Sequence, residues 1–192
     1  MITRNWFRGT KIPARGHSYL AVEREVIARN LARVRERIAA AAQRAGREAA
    51  AVRLVAVTKS VGIEEIRSLI ALGQIHLGEN RVETAGEKIA AANDRAVWHM
   101  IGNIQRRKAG EVVQLFDRID AVDRVKLAEA LDKKCAEVGK EMPVLLEVNV
   151  SGEEAKHGVP LAEAPAVVDA IRGLAHLKLE GVMTMAPFVE DT

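Results

Sequence analysis

Leu54-Val55-Ala56-Val57-Thr58-Lys59 is a run of four apolar residues that ends on a hydroxyl and an amine. A run this short, rich in valine and bounded by polar residues, reads as a buried strand. Working outward, similar runs begin near Ile75 (IHL), Val97 (VWHMI), Arg118 (RIDAV), Val144 (VLLEVNV) and Leu179 (LEGVMTM), at intervals of 21, 22, 21, 26 and 35 residues. Helical patterns fill the intervals. Ile63, Ile66, Leu69 and Ile70 precede Gly73; Val125, Ala128, Leu131 and Cys135 precede Gly139; Leu161, Ala164, Val167, Val168 and Ile171 precede Gly173. Each glycine stands where a left-handed residue would close a helix. The alternation predicts parallel βα units. An open doubly wound sheet and a (β/α) barrel both fit, the barrel wanting eight units in roughly 200–250 residues. No glycine-rich dinucleotide fingerprint follows the first run, which continues Ser60-Val61-Gly62, and this counts against a dinucleotide fold. Six units fit the 192 residues; a seventh and an eighth do not.

Ahead of the first strand, Ile27, Leu31, Val34 and Ile38 line one face of a predicted helix, with Ser18 as its N-cap and Gly46 as its stop. Residues 1–18 hold Arg4, Arg8, Lys11 and Arg15 and no acid, and form a basic leader expected to be disordered. The net charge is +3, so the remainder is near neutral and no basic patch for nucleic acid follows. Aromatics at 3% are too few for a base-stacking surface. Apolar residues at 48% suffice for a core, yet no run approaches the ~20 residues that cross a bilayer. Cys135 is alone, so neither a disulfide framework nor a thiol-rich metal site is expected. The five histidines lack HxH or HExxH spacing, which argues against zinc. The cytoplasm is the expected compartment.

Polar residues gather where the predicted strands end: Lys59, Glu79 and Asn80, Gly102 and Asn103, Asp123 and Arg124, Asn149 and Ser151, and Thr184. The C-terminal ends of parallel strands carry the sites of α/β proteins. Spacing alone favours a Lys59 that snorkels to solvent. The sharper reading is a lysine partly desolvated at a barrel mouth, where the ammonium is disfavoured and the amine is nucleophilic toward aldehydes. Asn80 reads as a turn residue or as an amide that orients a ligand on Lys59. His99 shares a strand face with Ile101, while Trp98 and Met100 share the other; a lone strand histidine is more often a hydrogen-bonded core residue than a base. The Gly102-Asn103-Ile104-Gln105 stretch could present backbone N–H groups to an anion. Asn149–Gly158 reads equally as a solvated loop or as a lid.

Five stretches, taken together, resemble the pyridoxal phosphate homeostasis proteins: Leu54–Lys59; His76-Leu77-Gly78-Glu79-Asn80; Trp98–Gly102 with Gln105; Glu147–Glu153 with Lys156 and Gly158; and Leu179–Met185. They occur in order and in register over roughly residues 20–190. The resemblance implies an α/β fold, a TIM-type (β/α) barrel of the alanine racemase N-terminal type with about six of eight units present, preceded by an N-terminal helix. Residues 19–192 would form this domain. It implies pyridoxal 5'-phosphate (PLP) held as a covalent aldimine on Lys59, with Asn80 near the cofactor and His99, Met183 and Thr184 around the ring. The family's role is vitamin B6 and amino-acid homeostasis without an established turnover. Family members continue into Ser-Met-Gly-Met-Ser and Arg-x-Gly segments that cradle the phosphate, and this chain stops at Thr192 without them. The expectation is a truncated chain, or a partner covering the open barrel edge, with cofactor affinity reduced by several charge-assisted hydrogen bonds of ~1.5–3 kcal/mol each. The expected partner is otherwise the small-molecule cofactor alone, the chain being a monomer or weak homodimer without nucleic acid or membrane. Two alternatives stay open. One is a cofactor-free interaction module. The other is a racemase-type enzyme, which needs a second proton donor opposite the lysine; the single tyrosine, Tyr19, lies by the leader.

Overall fold

The computed structural model describes residues 17–92, 95–153 and 157–185, with side chains from residue 24 onward. Most of the expected leader thus lies outside the described residues. Helix α1 (His17–Arg44) includes Ser18 within its span and does not begin after it, since nothing from His17 to Leu20 breaks a helix. Its inner stripe is Ile27, Leu31 and Ala42, all buried, with Val34 and Ile38 half-buried beside them.

The strands are β1 (Ala56–Val57), β2 (His76–Glu79), β3 (Val97–Met100), β4 (Arg118–Val122), β5 (Met142–Asn149), β6 (Val159–Pro160) and β7 (Leu177–Met183). Helices α2 (Ile63–Ala71), α3 (Val82–Ala91), α4 (Ala109–Leu115), α5 (Val125–Val138) and α6 (Ala164–Arg172) connect them. Every pairing is parallel. The sheet runs β1-β2-β3-β4-β5-β7, and the two-residue β6 adds to the end of β5 through Val148–Val159 and Asn149–Pro160. All six runs read from the sequence are strands of this parallel α/β sheet. Strand β6 is additional, and too short to carry a periodic signal.

Alternation along the strands divides the sheet into two faces. Leu77, Trp98, Met100, Ile119, Val144 and Leu146 join the helix residues Ile66, Val112, Leu127, Leu131 and Ile171 in one buried cluster. Phe116, between α4 and β4, is fully buried within it, and Lys140 donates to Val113 O at 2.9 Å and Phe116 O at 2.7 Å to satisfy the end of α4. Cys135 packs in the same layer, where burial pushes its thiol up to about 11, so it is a core residue and not a nucleophile.

Gly139 closes α5 at φ 66°, as its position predicts, whereas Gly173 stays right-handed at φ −76°. The Gly173 amide continues the α6 ladder to Asp169 O and Ala170 O, and the chain turns one residue later. Among the described residues β1 pairs only with β2 and β7 only with β5, so these strands form the two margins of the sheet. Val182 on β7 is 63% exposed, as an apolar residue on an uncovered margin would be. Phe116→Ala is expected to lower unfolding free energy by about 3–5 kcal/mol in urea titrations, because the surrounding helix and strand cannot collapse into the space.

Candidate functional site

The C-terminal ends of the parallel strands share one rim, and β1 delivers Lys59 to it. Thr58 ends the strand with its N–H on Gly78 O at 2.9 Å and its hydroxyl on Glu79 Oε1 at 2.6 Å. Lys88 reaches over from α3 to the same Glu79 Oε1 and to Thr58 O, both at 2.8 Å. Glu79 is wholly buried and the Lys88 side chain nearly so. A buried carboxylate on a strand demands such a partner. The clamp holds the backbone one residue before Lys59. Lys59 itself is exposed, as spacing alone favoured, and this corrects the sharper reading of a partly desolvated lysine: the chain turns at Lys59-Ser60, beyond the strand. Its amine makes no hydrogen bond or ion pair among the described residues, unlike those of Lys88 and Lys140.

Asn80 follows β2 and is half-buried. Gly102 lies against it so closely that a Cβ there would come within 2.4 Å of Asn80 O and 2.8 Å of Asn80 Cα. Gly102 therefore serves close backbone approach, which a side chain would prevent. Beyond it, Asn103 Nδ2 donates to Asp123 Oδ2 at 2.9 Å, Asp123 pairs with Arg124, and Arg124 donates to Ile104 O at 2.8 Å. On the far side of the rim, Met183 ends β7 in register with Glu147 and is half-buried. Thr184 follows it, exposed, with its hydroxyl on Val148 O at 2.8 Å. Glu147 is buried, and burial first, then the charge of Asp123, raises its carboxyl above the usual carboxylate range, with His157 opposing.

His99 sits lower, inside the sheet. Its Nδ1 lies 2.7 Å from Asp120 Oδ2 and its Nε2 lies 3.0 Å from His76 Nδ1. Three adjacent strands thus contribute one chain of polar groups, and both ring nitrogens of His99 are occupied. The structure brings Lys59, Asn80, Met183 and Thr184 to one rim and leaves His99 beneath it. The sequence reading missed Lys88, His76, Asp120 and Glu147 as parts of this arrangement. The available signal was charge within apolar strands: Glu79, Asp120 and Glu147 each interrupt a run that should be dry, and each needs a partner.

Two outcomes follow from these buried acids. Lys88→Met should cost about 3–5 kcal/mol in urea titrations by stranding Glu79, and Glu79→Leu placed in the same chain should recover much of it. For Glu147, a folded-state affinity for protons above the unfolded one means stability that is full below its ordinary value and lost as pH rises through the raised one. Glu147→Gln should therefore gain stability over the parent chain progressively from about pH 4 toward neutrality, in melting curves recorded across that range.

Among the described residues no group of three or more His, Cys, Asp or Glu could hold a metal ion, and no helix is long and apolar enough to cross a membrane. The donor set at the rim instead fits an aldehyde-bearing cofactor: a primary amine without a hydrogen-bond or ion-pair partner among the described residues, and an amide at the end of the neighbouring strand. Residues 29–192 match the alanine racemase N-terminal domain model. A pyridoxal phosphate homeostasis protein of Pseudomonas aeruginosa is 38% identical over 160 residues, which are 83% of this chain and 70% of the relative. The solved structure of PipY from Synechococcus elongatus with PLP bound is 32% identical, with a TM-score of 0.72 over 85% of this chain and 72% of that one. An alanine racemase of Clostridium difficile shares the fold alone, at 15% identity and a TM-score of 0.61 over 71% of this chain and 38% of its own. On the family model and on this degree of identity, the chain belongs to the pyridoxal phosphate homeostasis proteins, within the alanine racemase N-terminal domain family.

Proposed function

We propose that this protein binds PLP through Lys59 and serves vitamin B6 and amino-acid homeostasis in the cytoplasm. The observation that carries the reading is the Lys59 amine, exposed at the rim and free of hydrogen bonds and ion pairs among the described residues. The names of the relatives and the PLP-bound PipY structure support it. The cofactor would supply an aldehyde carbon open to attack by an amine. Lys59 Nζ would hold it, as the primary amine that such a carbon accepts with loss of one water. Thr58, held by Glu79 and Lys88, keeps the base of that lysine in place. Asn80, braced by Gly102, offers an amide to the cofactor from the next strand, and Met183 and Thr184 border it from β7. His99 would shape the floor and not touch the ring, since Asp120 and His76 take both of its nitrogens. A reversible bond to one lysine suits containment of a reactive aldehyde, and no turnover is part of this reading.

Mixing the chain with PLP should give a yellow absorbance band, and borohydride followed by peptide mass spectrometry should find the reduced adduct on Lys59. Lys59→Ala should lose both signals. Lys59→Arg should lose them too, since a guanidinium keeps the charge without the nucleophile. An adduct of undiminished yield in either variant would reject the reading.

A further inference from the structure

The parallel sheet has a second end, opposite the Lys59 rim. There, between α1 and the starts of β1 and β2, lies a cavity of about 440 Å³, within the ~300–1,000 Å³ typical of small-molecule sites. Its walls are largely apolar, formed by Ile38 of α1, Val52 and Leu54 ahead of β1, and Ile75 ahead of β2. Its charged or ionisable lining residues are Arg35, Arg53 and His76, with no carboxylate among the residues that line it. The floor is well braced. Gln74 Nε2 donates to Leu54 O at 2.8 Å and to His76 O at 2.9 Å, tying the two strand starts together.

The three basic groups differ in what they have to spare. Arg35 reaches Leu72 O at 3.5 Å, at the end of α2. Arg53 is exposed and has no hydrogen bond or ion pair among the described residues. His76 has its Nδ1 on His99 Nε2, and its Nε2 has no partner among the described residues. The groups facing His76 are His99 from β3, Arg118 and Asp120 from β4, and Arg53 ahead of β1; Arg118 in turn pairs with Glu180 of β7. Burial holds the His76 imidazole below its ordinary value, and the neighbouring His99, Arg53 and Arg118 act in the same direction, against Asp120. Beyond the lining, Glu180 lies within reach of the charges of both Arg118 and Arg53, so the carboxylates near the cavity stand on the strands and not in its wall.

We propose that this cavity binds a small amphipathic monocarboxylate, with the carboxylate received by Arg53 and His76 and the alkyl body by the apolar walls. An anion supplies the charge that the lining lacks, and an aliphatic tail replaces water against Ile38, Val52 and Ile75. The buried histidine chain couples this site to a proton. A carboxylate only accepts, so Asp120 takes the Nδ1–H of His99; His99 Nε2 then accepts the Nδ1–H of His76. That leaves His76 Nε2 able to gain a proton without breaking the chain. A bound carboxylate favours the gain, so the complex takes up a proton and binding tightens as pH falls toward the ordinary histidine value.

The test is calorimetric titration of the full chain with hexanoate, and with hexan-1-ol as the neutral probe, at about pH 6 and about pH 8. The expected result is saturable hexanoate binding that is several-fold tighter at the lower pH, with the alcohol roughly tenfold weaker or more. Arg53→Gln, at an exposed position, should weaken hexanoate roughly tenfold, while Lys59→Ala should bind it as the parent does. His76→Gln should abolish the pH dependence. Should that variant not fold, the His76 ring signals of the parent chain decide by NMR: their midpoint should move upward in pH when hexanoate is added. The proposal is overturned by absence of saturable binding, by equal affinity for acid and alcohol, by undiminished binding in Arg53→Gln, or by a His76 midpoint that does not move.

Discussion

The buried pair of Glu79 and Lys88 ties β1, β2 and α3 at one point. Removing a carboxylate and an ammonium from water costs several kcal/mol each, and their attraction offsets this only when the remaining hydrogen-bonding capacity is also used. Here the use is dense: one carboxylate oxygen accepts from the Thr58 hydroxyl and the Lys88 ammonium, and the ammonium also donates to Thr58 O. The other oxygen, Glu79 Oε2, has no hydrogen-bond partner among the described residues. The pair therefore contributes position more than stability. It joins the end of β1, the end of β2 and α3, the crossover helix that follows β2, and Lys59 is the next residue after Thr58 at the joint.

Strand alternation distributes chemistry around that joint. Residues facing the helices make the apolar layer, and Glu79 enters it only because α3 brings a cation. The inner face carries His76, His99 and Asp120, linked side chain to side chain across β2, β3 and β4. Gly78 lies on the same face, where a Cβ would come within 3.0 Å of Ile101 Cδ1 and 3.3 Å of Val55 Cγ1. The interior at that level is thus filled to the backbone, as in a packed barrel and unlike a pore.

The legible parts of the fold were those with strong periodicity. The runs at Leu54, Ile75, Val97, Arg118, Val144 and Leu179 all became strands, and the 14-residue α5 ends on Gly139 as its pattern indicates. Helices α3 and α4 escaped notice because Gly86 and Thr84 dilute one and the other is only seven residues long. Leu161 looked like the first turn of α6, yet it is 65% exposed in a turn, and the helix starts at Ala164 with Pro165 in its first turn. At the site, spacing located Lys59 and Asn80 correctly at strand ends. It could not supply partners, since Lys88 and Asp120 meet Glu79 and His99 only through strand register and helix placement. The exposure of Lys59 agrees with what spacing alone favoured, an amine that leaves a buried strand for solvent.

The histidine chain separates the two ends of the sheet. His99 has two ring nitrogens and both are committed, one to Asp120 and one to His76, so it has no donor or acceptor left for a ligand at the rim above. His76 is the first residue of β2 and Glu79 the last, so a strand of four residues spans the distance between them, about 10 Å at ~3.3 Å per residue. Screening over that distance is incomplete at physiological ionic strength, where the Debye length is about 8 Å, but the intervening layer holds its own counter-charge in Asp120 and in the Arg118–Glu180 pair. A proton gained at His76 is met by groups on its own level before it is felt at Lys59. Chemistry at the rim and charge at the opposite end can therefore change with little effect on each other, which a barrel with an unpaired interior histidine could not achieve.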